Sequence, residues 1–477
     1  MSSAQQTVPV RNATSSQRLG RPVLTTVDAI AQSLAIGPIF SAAFVAFLIA
    51  AAAAGAAPLA TLIGAVGVLA VGWVITLYAR RYAGAGAMYD YLRRMSPALG
   101  LFGAGLYFIG TLVLGCGGYL VIGFLSTQIF QNYLHLNIPV WVNALIAAVA
   151  LFMVNHRGVR LTTRVQLTLS ALASLPLLLL AAVIIARGGD SGNTLQVLNP
   201  TLVPLPGLFG GVLFAITLFI GFETSASLGE ETAHPRCSIP RAVIGTVLIT
   251  TAFYLLMIYA TDIGFGINHT DKWDLVALDT LATRYVGSWL AILVDIAILF
   301  DALAVMSAFM ATTSRGYFAL ARHGLLPSPL AQMSRFRTPL GGNLLVLTAV
   351  LISIIGTAVS RVDIPTIFTN MTLLGSLLIE AIYIVLALAA MRILLEEPGK
   401  WWRWLILLVA IVTPLLGIYG SVAPFPAYPG NLGVFGAIAG VTLAGAWTLV
   451  VIIALPKRLA AVSQPHSWEV DEAVAQA

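Results

Sequence analysis

Three acidic residues stand near the middle of long apolar runs in this chain: Glu223, Asp301 and Glu380. A fourth, Asp295, lies shallower in the same run as Asp301. No lysine or arginine falls near the middle of any such run. The six histidines (His135, His156, His234, His269, His323 and His466) lie outside them. A carboxylate in a low-dielectric setting with no basic partner must take up a proton or bind a cation. The candidates are a proton, a sodium ion or the ammonium group of a solute. Asp301 has a structural alternative, a neutral acid bonded to a neighbouring carbonyl. Glu380 has another, a polar residue facing a water-filled vestibule. Glu223 is distinguished by its position, because it sits where an apolar segment is interrupted.

Two apolar segments carry such interruptions. One reads Ile36-Gly37-Pro38-Ile39-Phe40, the other Ile220-Gly221-Phe222-Glu223-Thr224. Proline lacks the amide donor and clashes with the preceding turn, so a helix cannot run smoothly through Gly37-Pro38. Within a bilayer, freed backbone groups cost several kcal/mol each unless protein, water or a solute satisfies them. A half-helix beginning after Pro38 presents amides and a positive dipole end that attract a carboxylate. Carbonyls at the ends of the preceding half-helices, near Ile36 and Ile220, can receive an ammonium or a small cation. A zwitterion satisfies both kinds of end. Taken alone, Gly37-Pro38 is also compatible with a simple proline kink. Paired breaks in two halves of a chain point instead to a solute-binding site.

The elements that must position these residues follow from composition. The 477 residues are 59% hydrophobic and 9% charged, against about 25% charged in soluble domains. This is an all-α polytopic membrane protein. A spanning helix needs ~20 mostly apolar residues. On that criterion the sequence predicts twelve spans, at 27–55, 58–79, 97–131, 139–154, 161–186, 207–232, 239–264, 286–315, 343–359, 364–392, 402–422 and 431–455. With the N-terminus inside, 21 of the 25 basic residues fall in cytoplasmic segments. Arg187, Lys272, Arg284 and Arg361 fall outside. Such a bias is what the positive-inside rule requires, and it places both termini in the cytoplasm. Residues 1–23 read as a cytoplasmic N-terminal tail with no signal-peptide pattern. Residues 456–477 read as a cytoplasmic C-terminal tail.

Several functions are disfavoured. Cys116 and Cys237 lie in an apolar run and a basic loop, and no metal-ligand cluster or cofactor is expected. No G-x-x-x-x-G-K-[ST] loop is present to bind ATP phosphates. The net charge of +6 is explained by topology rather than by nucleic acid. No histidine stands in a span to build a membrane-embedded catalytic triad. The short tails argue against a sensor with an attached signalling module.

Three stretches resemble the amino acid–polyamine–organocation transporter superfamily over residues 24 to 455. Residues 209–241 contain Gly221-Phe222-Glu223, then Glu230-Glu231-Thr232, then Pro235-Arg236 and Ile239-Pro240-Arg241. The loop from Tyr78 to Tyr91 is similar to the family's segment between its second and third spans. The run from Arg315 to Pro327, followed by Thr338-Pro339, is similar to its eighth-span exit. The resemblance implies a leucine-transporter-like fold of two inverted five-helix repeats. Spans 1–5 would occupy residues 24–186, spans 6–10 residues 207–392, and two peripheral helices residues 402–455. It implies an amino acid permease working by alternating access on a small-molecule substrate, with proton-coupled symport. A polyamine or organic-cation importer and an amino acid exchanger are the alternatives.

Carried over residue by residue, the first-span substrate contacts would be Ile36, Gly37, Pro38 and Ile39. The sixth-span contacts would be Phe219, Ile220, Gly221, Phe222 and Glu223. The family places the substrate carboxylate on first-span amides and its ammonium on sixth-span carbonyls. Many members read Gly-Ser-Gly-Ile-Phe where this chain has Ile36 to Phe40, so Pro38 removes one amide donor. A fifth-span lysine found in some proton-coupled members aligns with Ala173, so that device is absent. Coupling would then fall to Glu223 or Asp301 for a proton, and to Ser307 and Thr312 for a sodium ion. Ser307 and Thr312 are equally ordinary helix-packing residues. Tyr119 is the candidate gate.

Overall fold

The computed structural model describes residues 24–34, 38–82, 88–229, 231–360, 362–397, 399–456 and 458–459, with backbone alone at 159–167, 169, 171 and 271. Ile36, Gly37 and most of both tails lie outside the described residues. In chain order the helices are α1 (Thr26–Leu34), α2 (Pro38–Phe44), α3 (Ala46–Ala53), α4 (Ala57–Ala79), α5 (Met88–Met95), α6 (Pro97–Leu134), α7 (Val140–Arg157) and α8 (Val159–Arg187). They continue with α9 (Leu205–Phe219), α10 (Pro235–Phe265), α11 (Ala277–Tyr285), α12 (Ser288–Arg322), α13 (Leu340–Ser360), α14 (Ile364–Glu396), α15 (Trp402–Val422) and α16 (Asn431–Ala454). Among the described residues there is no β-strand, only two isolated bridges. Helices dominate because hydrocarbon offers the backbone no other hydrogen-bond partners. Several begin on a proline in the first turn, including Pro58, Pro97, Pro206, Pro235 and Pro365, where a missing amide costs nothing.

Eleven helical segments among the described residues are long and apolar enough to cross a membrane. The span expected at 161–186 is helical within α8, and the apolar stretch found among its described residues is Leu172–Arg187. The outer faces of α13, α15 and α16 expose large apolar side chains such as Ile352, Ile355, Leu408, Ile438 and Leu443. A water-soluble domain would not leave such faces open. The chain is a multi-pass membrane protein.

Small residues let the helices approach closely. A Cβ on Gly420 of α15 would lie 2.1 Å from the Gly210 amide nitrogen of α9. On α6, a Cβ at Gly110 would come within 3.2 Å of the Gly375 carbonyl of α14.

The two interrupted segments lie together. The Leu24 amide donates to the Glu231 carbonyl at 2.9 Å, and the Ala233 amide to the Leu24 carbonyl at 3.0 Å. Thr26 bonds Ser238 at 2.8 Å. Deeper, the Ser225 amide donates to the Ser33 hydroxyl at 3.1 Å. In the first segment α1 is described to Leu34 and α2 from Pro38, and residues 35–37 between them lie outside the described residues. In the second, α9 ends at Phe219 and a short 3-10 turn, Thr224–Leu228, follows the break.

Charged residues gather at the two ends of the bundle. At one end Arg284 pairs with Asp190 at 2.7 Å. At the other, Arg81 pairs with Glu397. Arg315 of α12 meets Glu231 at 3.1 Å with both side chains buried. The amphipathic helix α5 also ties Arg93 to Asp90 at 2.7 Å, again buried. Neither α5 nor α11 is foreseen from the sequence.

Candidate functional site

The first break is completed by a residue from a distant helix. Pro38 opens α2, and the next two amides, of Ile39 and Phe40, donate to Asp301 Oδ2 at 3.1 and 2.6 Å. Asp301 belongs to α12 and is fully buried. Its other oxygen accepts the Ser170 hydroxyl of α8 at 2.9 Å. A carboxylate suits a helix N-terminus because it satisfies orphan amides and complements the dipole. The described amides expected to grip a solute carboxylate are therefore held by Asp301. Asp301 sits against backbone amides, not a carbonyl.

The second break is built around Glu223, also fully buried. One oxygen accepts the Tyr107 hydroxyl of α6 at 3.0 Å, and the other accepts the Gly221 amide at 3.0 Å. The Tyr383 hydroxyl of α14 lies beside this carboxylate. Gly221 supplies the turn with φ 115°, a region that L side chains seldom enter. Its carbonyl accepts both the amide and the hydroxyl of Thr224, at 3.0 and 2.7 Å. Tyr254 donates to the Leu218 carbonyl at 2.7 Å. Among the described residues no hydrogen bond reaches the Ile220 carbonyl.

Between the breaks lies a cavity of about 30 Å³. Its lining includes Phe40 and Ser41 of α2, Thr217 of α9, Ile220 at the break, Val305 and Met306 of α12, and Phe368 and Thr372 of α14. Phe40 and Phe368 meet edge-on with ring centroids 6.5 Å apart. Thr217 donates to Ser376 at 2.7 Å. The walls are apolar with a few hydroxyls, and the space as it stands is water-sized rather than solute-sized.

Other expected residues stand apart from this cavity. Ser307 accepts from Asn155 of α7 at 3.0 Å, which places it at the α7 contact. The Thr312 hydroxyl is buried without a partner. Tyr119 is buried in the packing of α6 and its hydroxyl is also unpartnered. Phe222 is buried, its ring 6.0 Å from that of Tyr383. Phe219 packs edge-on against Tyr254 at 5.0 Å. Ile36 and Gly37 lie outside the described residues, so the first-span contact set is seen only from Pro38 onward.

The sequence profile of the amino acid permease family matches residues 24–455. The chain belongs to the amino acid permease family. The permease is 30% identical over 146 residues to the branched-chain amino acid permease BcaP of Bacillus subtilis, a stretch covering 28% of this chain and 30% of that one. It is 30% identical over 205 residues to an uncharacterized transporter of Mycobacterium tuberculosis, covering 43% and 46%. It is 25% identical over 187 residues to the D-serine/D-alanine/glycine transporter of Escherichia coli, covering 38% of each. The permease thus aligns with less than half the length of these curated relatives.

The residues that join the candidate site but escape sequence reasoning are Tyr107, Tyr383, Ser170 and Tyr254. Each sits in an apolar run, where an aromatic or small hydroxyl residue also serves plain packing. Nothing in the spacing separates the two uses.

Proposed function

We propose that this permease is a secondary active transporter that moves an amino acid across the cytoplasmic membrane by alternating access, coupled to protons. On this reading the chain forms twelve spans with both termini inside, its first ten arranged as two inverted five-helix repeats. The observation that carries it is a cavity walled by α2 and by the break after α9, with Ile220, whose carbonyl accepts no hydrogen bond among the described residues, in its lining. The substrate ammonium would bind that carbonyl, and the hydroxyls of Ser41 and Thr217 would orient the rest. Glu223 is the coupling residue. Its carboxylate holds the Gly221 amide of the break, so a proton arriving there weakens a bond that shapes the site.

A second reading, a polyamine or organic-cation importer, gains from one finding. Asp301 already occupies the Ile39 and Phe40 amides, so a substrate without a carboxylate forfeits nothing there.

Uptake into proteoliposomes tests both readings. An amino acid symporter gives saturable uptake that collapses with a protonophore, and Glu223→Gln impairs it while the protein still folds. Competition by putrescine but not by zwitterionic amino acids selects the second reading. Uptake that needs internal substrate and no ion gradient makes the protein an exchanger.

A further inference from the structure

Met306 of α12 is buried and lines the cavity beside the breaks. The end of its side chain is tucked against α6 at Gly118. A Cβ at Gly118 would lie 2.2 Å from Met306 Sδ and 2.3 Å from its Cε. The thioether therefore rests where only a glycine leaves room. One turn earlier on the same face of α6, Gly115 meets Phe309, which follows Met306 by one turn of α12 and also lines the cavity. There an added Cβ would stand 3.9 Å from the Phe309 Cβ, an ordinary contact. Of the two glycines, Gly118 alone seats a side chain in the space of its missing Cβ.

The lining also bears on the solute. On the reading above, the solute ammonium meets the Ile220 carbonyl, near the hydroxyls of Ser41 and Thr217. The wall left for the solute side chain is that of α6 and α12: Leu114, Val305, Met306 and Phe309, all apolar. The described lining holds no charged residue. The carboxylates at the breaks already receive protein donors. Glu223 receives the Tyr107 hydroxyl and the Gly221 amide, and Asp301 the Ile39 and Phe40 amides and the Ser170 hydroxyl. A charged solute side chain would be buried there without a partner, at a cost that binding does not recover. An apolar one gains by leaving water.

We propose that this site takes an amino acid with an uncharged, apolar side chain, and that the contact of Met306 with Gly118 limits how large that side chain can be. This rests on the amino acid transport reading above. With glycine at 118, the thioether lies drawn back against α6. A methyl group placed there meets the flexible end of Met306 rather than backbone, so the side chain yields. Methionine is unbranched and turns about three bonds, and the unfilled space beside it is the cavity it lines. The thioether then occupies room that a solute would use. Shortening Met306 acts in the opposite direction and opens room for a longer solute side chain.

The test is competition for uptake of a labelled apolar amino acid into proteoliposomes, with alanine, leucine, phenylalanine, lysine and glutamate as competitors. It compares wild type, Met306→Ala, Gly118→Ala, Gly115→Ala and the double variant Gly118→Ala with Met306→Ala. Ratios between competitors within one protein do not depend on how much of it folds. Lysine and glutamate should not compete in wild type. Met306→Ala should shift preference from alanine toward phenylalanine by about tenfold or more, the worth of a methylene or two in a close-fitting pocket. Gly118→Ala should shift it toward alanine by a similar factor. The double variant should lose that shift toward alanine, since no thioether remains to be displaced. Gly115→Ala should keep the wild-type ratios. Wild-type ratios in Met306→Ala, the same ratios in Gly118→Ala as in Gly115→Ala, or competition by lysine or glutamate in wild type overturns the inference and leaves the transport reading intact. Where Gly118→Ala yields no folded protein, Met306→Ala and the wild-type competition still decide it. Wild type that takes up no amino acid removes the amino acid reading itself.

Discussion

The Asp301 carboxylate of α12 accepts the Phe40 amide of α2 at 2.6 Å across 261 residues of sequence. That single contact places an anion of the protein's own at the helix end where a solute carboxylate was expected. It also fastens α2, one wall of the cavity, to α12 and, through Ser170, to α8. Any movement of the first segment against α8 and α12 must break or carry these bonds.

Replacing Asp301 with alanine leaves the Ile39 and Phe40 amides without their acceptor in a buried setting. Each orphaned group costs about 1–3 kcal/mol, so Asp301→Ala should lose about 2–6 kcal/mol. Asp301→Asn keeps a carbonyl acceptor and should lose less. Thermal unfolding of the purified variants measures the ordering. Equal melting temperatures for wild type and Asp301→Ala would show that the contact holds nothing.

Gly221 turns the backbone at φ 115°, next to the open Ile220 carbonyl. A side chain in such a conformation costs about 1–3 kcal/mol. Gly221→Ala should therefore be less stable and bind substrate about tenfold more weakly, a change of about 1.4 kcal/mol. Gly221→Leu should bind none. Substrate-induced thermal shifts across a concentration series provide the affinities, and an unaltered affinity in Gly221→Leu removes this turn from the site.

The spans and breaks are legible in the sequence because each has a local cause. Apolar length marks a crossing helix, and Gly37-Pro38 and Gly221 mark the places where a helix cannot continue. Helices α5 and α11 are not legible, since they are short, charged and never cross. Nor is the meeting of Asp301 with Ile39 and Phe40, because nothing local to residue 301 encodes a contact made over 260 positions away. Tyr107 and Tyr383 read as packing aromatics until the fold brings their hydroxyls to Glu223. Ser307, which the sequence offers for a cation, accepts a hydrogen bond from Asn155 in the fold, a contact over 150 positions away in the chain.

The Arg315–Glu231 pair is buried, with side chains 4% and 5% exposed. It joins the end of the second interrupted segment to α12. Removing one member of a buried pair strands the other charge and costs about 3–5 kcal/mol, whereas replacing both with apolar residues is often neutral. Arg315→Met alone should be strongly destabilised, and Arg315→Met with Glu231→Leu should recover most of the loss. Melting temperatures of the four proteins in one cycle test this. A double variant as unstable as the single would show that the charge pair is not the reason for the cost.

Asp363 caps α14 by accepting the Thr366 amide at 2.9 Å. That bond holds its carboxyl below the usual carboxylate range. For a lowered acid, the folded form binds the proton less readily than the unfolded chain. The stabilisation is therefore complete above the unfolded value of about 3.9 and fades as pH falls through the folded value. An exposed cap is worth about 1 kcal/mol on loss to alanine, with the charge contribution screened by salt. Asp363→Ala should melt below wild type at neutral pH, and the gap should narrow on acidification. Asp363→Asn, an equally good cap without a titratable group, should melt close to wild type at neutral pH and above it on acidification. A gap between wild type and Asp363→Ala that stays constant into the acid range would mean that the ionised carboxylate is not what secures the start of α14.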